Sequence, residues 1–148
     1  MRKLEEVFSE TKELYGRIDR LLKLSTYDEY DDLSGLDIDH RDSEQLFLLD
    51  EMRAIMKRLD EVKGKIAYLA LPVREVSRLH RNGAGRYETD SGHCYTSGSP
   101  IEALVRDGYR EDPYWVWTVV EHDCRDYYLV GYDGLDIGNL TVRVRGEG

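Results

Sequence analysis

Lysine is missing from the second half of this 148-residue sequence: none follows Lys65. Positive charge is scarce throughout, with 21 basic against 30 acidic residues and a formal net charge of −9. A surface of that sign repels phosphate backbones, which disfavours non-specific nucleic-acid binding. The deficit is spread evenly: residues 1–72 hold twelve basic and seventeen acidic residues, and residues 73–148 hold nine and thirteen, so no basic domain is hidden. Cysteine is almost absent. Cys94 and Cys124 could pair, but two cysteines do not make a disulfide framework. No run approaches the roughly 18 apolar residues of a membrane span. The opening "MRKLEEVFSE" is charged and offers no apolar run of the signal-peptide kind. These absences read as a reduced, cytoplasmic protein without a membrane partner. An acidic chain still suits a basic protein partner, or imitation of DNA toward a DNA-binding protein.

What is present falls into two halves with different periods. In residues 4–21, Leu4, Val7, Thr11, Leu14, Ile18 and Leu21 follow alternating steps of three and four, and Phe8, Tyr15 and Leu22 widen the stripe. This is an amphipathic helix that needs a partner. Gly16 weakens it by about 1 kcal/mol relative to alanine. A second stripe runs Leu48, Met52, Ile55, Leu59, Val62, Ile66, Leu69. Asp42 with Gln45 resembles a capping box, which starts this helix near Ser43. Pro72 ends it near Leu69–Leu71, because the residue before proline avoids helical geometry. Residues 25–42, "STYDEYDDLSGLDIDHRD", carry six aspartates and one glutamate, with Gly35 as a breaker. The expected unit is an antiparallel helical hairpin over residues 1–72. Both stripes keep a heptad register, so a homodimer through the hairpin and docking on the rest of the chain are both open.

After Pro72 glycine, tyrosine and β-branched residues become frequent. "EVSRLH", "RYET", "HCYT", "YWVWTVVEH", "YYLVGY" and "LTVRVR" read as short strands between turn signals. Their spacing predicts a compact all-β unit over residues 73–148, a small barrel of about five or six strands. Alternation in "LTVRVR" sets Leu140, Val142 and Val144 on one face and Thr141, Arg143 and Arg145 on the other. "SGSPIEALV" is ambiguous. Ser99, Pro100 and Glu102 form a good helix start, but Asp107-Gly108 leaves room for under two turns, so a strand fits as well.

Gly85-Arg86-Tyr87, "TSGSPIE" at Thr96–Glu102, Trp115 or Trp117 before Glu121-His122, "YYLVG" at Tyr127–Gly131 and the terminal "VRVR" occur in an order that resembles the DUF5348 family. Those are small bacterial proteins of unassigned function, often on mobile elements. The resemblance covers roughly the last 60–65 residues. It implies an SH3-like β-barrel in which "IEALV" is a strand, and it implies no reaction. The whole chain is then expected to be α+β, an N-terminal antiparallel helical hairpin followed by a small SH3-like β-barrel.

Catalytic motifs do not fit. Ser97-Gly98-Ser99 lacks the G-x-S-x-G elbow and its strand-to-helix context, and the Walker lysine is absent. His93, Cys94, His122 and Cys124 are zinc-type ligands. Strand neighbours point to opposite faces, however, and there is no C-x2-C knuckle, so a buried thiol with surface imidazoles is the plainer reading. Asp28, Glu29, Asp31, Asp32, Asp37, Asp39 and Asp42 miss the EF-hand register and read as a solvated loop that helps cap the second helix. Glu121 with His122 is not set apart as an acid–base pair. No cofactor or metal is expected.

Aromatics are the strongest binding signal. Tyr109, Tyr114, Trp115, Trp117, Tyr127, Tyr128 and Tyr132 crowd one stretch. They either fill a small barrel core or line an exposed groove for a peptide or nucleic-acid strand. Trp115 and Trp117 share a face, and Tyr127 and Tyr128 face opposite ways. Arg143 and Arg145, with Arg81 and Arg86, form either a local basic patch or edge protection against aggregation. Three functions follow as expectations. The first is a non-enzymatic module that binds a protein partner through Tyr114, Trp115, Trp117, Tyr127, Tyr128, Arg143 and Arg145. The second is an acidic mobile-element inhibitor or DNA-mimic decoy. The third is a metal-binding protein or enzyme using His93, Cys94, His122 and Cys124.

Overall fold

The structure is a computed structural model that describes residues 1, 3–28, 30 and 32–146. The chain divides into two compact units, Met1–Leu71 and Pro72–Gly148. The fold is α+β: two helices, then antiparallel sheets.

Helix α1 spans Leu4–Leu24 and α2 spans Ser43–Ala70. Asp42 caps α2, its carboxylate accepting from the Glu44 and Gln45 amides at 2.9 and 3.4 Å. The reciprocal arm of the expected capping box is displaced. Gln45 accepts from the Asp39 amide at 2.9 Å, because the Asp42 amide is already bonded to the Asp39 carbonyl at 3.1 Å. Leu71 is extended (φ −69°, ψ 141°), as a residue before proline must be.

The connecting loop is more ordered than a solvated acidic tract. Asp28 accepts from the Tyr30 and Asp32 amides, and Asp39 from that of Arg41. These carboxylates satisfy the backbone locally, as Asx turns do. Glu29 and Asp31 lie outside the described residues. Gly35 serves a close approach: its amide donates to Thr26 Oγ1 at 3.0 Å, and a Cβ there would sit 2.6 Å from the Thr26 methyl. Leu33 is thereby drawn into the small hairpin core with Ile18, Leu22, Met56 and Ile66.

Lys63 of α2 reaches Asp19 of α1 at 2.9 Å, while Leu4 and Phe8 share a hollow with Ile66 and Leu69, so the helices run antiparallel. Asp19 is held down to about 2 by hydrogen bonds from Lys63 and Lys23, and Lys63 is raised in return. The stripe beginning at Leu4 is only partly used. Ile18 and Leu22 are buried, whereas Val7, Leu14 and Leu21 stay exposed.

In the second unit the strands are β1 (Val73–Arg78), β2 (His80–Arg81), β3 (Tyr87–Glu88), β4 (Cys94–Tyr95), β5 (Pro100–Val105), β6 (Tyr114–His122), β7 (Tyr127–Leu129) and β8 (Thr141–Arg145). Among the described residues eight strands replace the five or six expected, three of them, β2, β3 and β4, being two-residue pairings. They form a three-stranded sheet in that order, and the other five form a sheet in the order β1-β8-β5-β6-β7. The arrangement is consistent with an SH3-like fold, but the barrel is open: among the described residues β1 pairs only with β8, and β7 only with β6. One face of the larger sheet carries Ile101, Ala103, Val105, Val120, Leu129 and Val142 into a core completed by Leu79, Tyr87, Tyr95, Ile137 and Leu140.

"SGSP" is a turn. The Ser99 amide donates to the Thr96 carbonyl at 2.9 Å, and Gly98 sits at φ +86°. That positive φ at the third position, after a residue of ordinary φ, is the type II pattern. The Thr96 amide donates to Ser99 Oγ at 3.0 Å. Pro100 opens β5, where its missing N–H disrupts the ladder least. "IEALV" is a strand because β6 and β8 pair with it on both sides. The local helix start is overridden by those two ladders.

Candidate functional site

The second face of the five-stranded sheet looks away from the core. Strand alternation puts Glu102 and Leu104 of β5 on this face, between Ile101, Ala103 and Val105, which point inward. Register then fixes the neighbours. One row across the sheet reads Val76, Arg143, Glu102, Trp117, and the next reads Arg78, Thr141, Leu104, Trp115.

At the centre of the face Glu102 is only 4% exposed. Arg143 Nε donates to its Oε2 at 2.9 Å, and Arg145 Nε to its Oε1 at 2.9 Å. Two guanidinium groups on one carboxylate form a charge-assisted clamp that locks three side chains. The Arg143 guanidinium also lies 4.4 Å from the centroid of the Trp115 ring, within cation–π range. Beside this clamp Trp117 is 46% exposed, with Val76 and Val130 also open to solvent.

Alternation sorts the crowded aromatics. Tyr114 and Tyr127 turn to the core side and pack against it. Tyr127 meets Tyr87 and His122 edge-on, at 6.3 and 4.7 Å between centroids. The Tyr114 hydroxyl donates to Asp107 at 2.7 Å, which lifts Tyr114 to about 12 and lowers Asp107. Trp115, Trp117 and Tyr128 lie on the outer face, with Tyr128 opposite Glu121. The seven candidate residues are therefore split: five share the outer face and two support the core.

Both readings of the arginines need correction. β8 is an inner strand flanked by β1 and β5, so Arg143 and Arg145 do not protect an edge. Nor do they make a free basic patch, since both are ion-paired to the single carboxylate of Glu102, and Arg81 is bonded to Asp126 at 2.8 Å. Glu102 is not among the candidate site residues of the sequence, where it figures only as part of a helix start or of a strand. The signal was there, because the glutamate of "TSGSPIE" and the arginines of "VRVR" both carry the family resemblance, and the fold joins them.

The four zinc-type residues do not assemble. Among the described residues no group of three or more His, Cys, Asp or Glu side chains could hold a metal ion. His93 packs edge-on against Tyr95, and His122 Nδ1 accepts from the Cys124 amide at 3.1 Å. Both thiols are free and exposed, contrary to the expected buried cysteine. Cys94 lies on β4 of the small sheet's rim, and Cys124 in the β6–β7 turn at φ +74°.

Other polar clusters are tied up as struts. Glu75 accepts from the Thr89 and Ser91 hydroxyls at 2.9 and 2.6 Å and from the Ser91 amide at 3.0 Å, and the Ser91 hydroxyl leads in lowering its pKa. Asp126 accepts from Arg81 and, at 2.9 Å, from the Tyr87 hydroxyl. Burial, and then that hydrogen bond, push Tyr87 up. Each ties a strand to a turn distant in sequence, Glu75 of β1 to the β3–β4 turn and Asp126 of the β6–β7 turn to β2 and β3.

No helix among the described residues is long and apolar enough to cross a membrane. No curated protein and no solved structure matches the chain. In agreement with the resemblance carried by its motifs, residues 77–145, from within β1 to the end of β8, match the family model of DUF5348, a domain of unknown function.

Proposed function

We propose that this protein is a non-enzymatic binding module whose outer sheet face, centred on Trp117, takes a protein partner. The observation that carries the reading is the pairing of a rigid support with an open aromatic. Glu102 is clamped by Arg143 and Arg145, Arg143 braces Trp115, and Trp117 beside them keeps 46% of its surface in solvent. Interface hot spots have this character: a large, pre-positioned aromatic among residues whose rotamers are fixed. Trp115, Tyr128, Val76 and Val130 would extend the contact. The net charge of −9 favours a protein over a nucleic acid on this face, and both arginines are already engaged by Glu102. Two free exposed thiols suit a reducing compartment such as the cytoplasm.

The DNA-mimic reading draws less support. It needs spaced, free carboxylates, yet Asp19, Glu75, Glu102 and Asp126 are each bonded to side chains within their own unit. The metal or enzyme reading lacks a ligand set among the described residues.

The experiment is affinity capture with the full chain, followed by direct titration of the purified partner. Trp117→Ala should weaken that partner by about thirtyfold or more, as hot-spot truncations do, with an unchanged melting curve. A partner held equally by wild type and Trp117→Ala, or a variant that binds less only because it unfolds, would defeat the proposal.

A further inference from the structure

The hairpin presents a second apolar row that its own packing does not use. In α2 the inner positions Met52, Met56, Leu59 and Ile66 pack into the hairpin, Met56 and Ile66 being buried. Leu48, Ile55 and Val62, spaced by seven residues, remain 55%, 43% and 45% exposed. An exposed row at a strict seven-residue period is the seam of a helix that pairs with another helix of the same period. A β-sheet has no matching repeat.

The charges beside the row indicate which helix. Three residues beyond each seam position on the outer side come Glu51, Arg58 and Lys65, and Glu44 lies four residues before Leu48; all four are exposed. The order is acidic in the first half of α2 and basic in the second. An antiparallel copy of the same helix, turned about a two-fold axis at Ile55, sets Leu48 against the second copy's Val62. It sets Glu51 against the second copy's Arg58, and Glu44 against its Lys65. Isologous contacts of this kind are what a two-fold dimer requires. At one end of the row, Leu48 borders a hollow of about 250 Å³ lined by Leu36, Ile38, Gln45, Leu49 and Met52, where the second copy's helix would seat.

We infer that α2 is a self-association surface: two copies of this chain pair antiparallel through Leu48, Ile55 and Val62, with Glu51 and Arg58 fixing the register. The inference is independent of the partner proposed for the sheet face.

Sedimentation equilibrium of the full chain tests it. The wild type should approach twice the 17.2 kDa chain mass at micromolar concentration. Ile55→Asp should raise the dimer dissociation constant by about thirtyfold or more, with helical circular dichroism retained, since Ile55 lies outside the hairpin core. Glu51→Arg should also weaken the dimer, and Glu51→Arg with Arg58→Glu should restore it. That rescue separates register pairing from a mere preference of helix ends for these charges. A wild type that stays monomeric at all concentrations, a dimer indifferent to Ile55→Asp, or no recovery in the double variant would each overturn the inference. Should Ile55→Asp unfold, the surface charge swap decides alone.

Discussion

The two units solve the burial problem to different degrees. Residues 72–146 wrap two sheets around a continuous core in which Ala103, Val105, Val120 and Val142 have no exposure at all, and the same unit can afford to sequester a carboxylate. Residues 1–71 form one layer of two helices around Ile18, Leu22, Leu33, Met56 and Ile66, and leave Val7, Leu14, Leu21, Leu48, Ile55 and Val62 in water. A layer with one apolar face covered is half of a domain architecture. The sheet unit therefore has the fuller core, and the hairpin leaves apolar surface for the self-association proposed above.

The sharpest way to break this contrast is at the clamp. Glu102→Ala removes one partner from three nearly buried charges, so Arg143 and Arg145 are left facing each other. Loss of such a partner costs about 4 kcal/mol. Urea unfolding followed by tryptophan fluorescence should register that loss in the sheet unit, because both tryptophans lie on β6. A change below about 1 kcal/mol would mean that the clamp is solvated and gives no support to Trp117.

The cores can be compared by one matched substitution. Ile101 is 2% exposed and sits between two paired strands, so Ile101→Ala should cost about 4 kcal/mol. Ile66, at 6% exposure in a thinner core, should cost about 2 kcal/mol when cut to alanine, since neighbouring side chains can relax into the space. Thermal melts read at helical and tryptophan signals measure both. Equal costs would erase the distinction drawn between the units.

Smaller effects sit at the element ends. Asp42→Ala strips the cap from α2 and should lower hairpin stability by about 1 kcal/mol. Gly98→Ala meets no neighbouring atom, so its cost comes from the backbone at φ +86° alone, again about 1 kcal/mol. Hydrogen exchange would localise the first loss to α2 and the second to β5 and β6.

The smallest expected effect is a pH dependence. Asp19 is depressed to about 2, so the carboxylate's contribution is complete above its ordinary value near 3.8 and is lost as pH falls through about 2. Helical signal in the wild type should decline over that acid window. Asp19→Asn should lose the part of this decline that Asp19 causes. If the two titrate alike, the Asp19–Lys63 link carries no weight in the hairpin.

Much of this was legible in the sequence, for local reasons. The three-and-four stepping of Leu48 to Leu69, the aspartate before Ser43 and the proline after Leu71 bound α2, because helix ends depend on residues within one turn of themselves. "YWVWTVVEH" matched β6 residue for residue, since β-branched and aromatic runs fit a pleated strand. The candidate site was only half visible. Alternation paired Trp115 with Trp117, but nothing local decided whether that face was core or surface. "RYET" and "HCYT" read as strands, and the structure keeps two residues of each, Tyr87–Glu88 and Cys94–Tyr95, as paired.

By itself the sequence determined the change of period at Pro72, the ends of α2 and the alternation along β6, β7 and β8, because these follow from backbone geometry and near neighbours. Tertiary structure alone decided that the hairpin buries one edge of its stripe and leaves the other bare, and that Glu102 meets Arg143 and Arg145. Those arginines lie 41 and 43 residues further along the chain. Contacts of that kind exist only once antiparallel register has set which residues stand opposite one another.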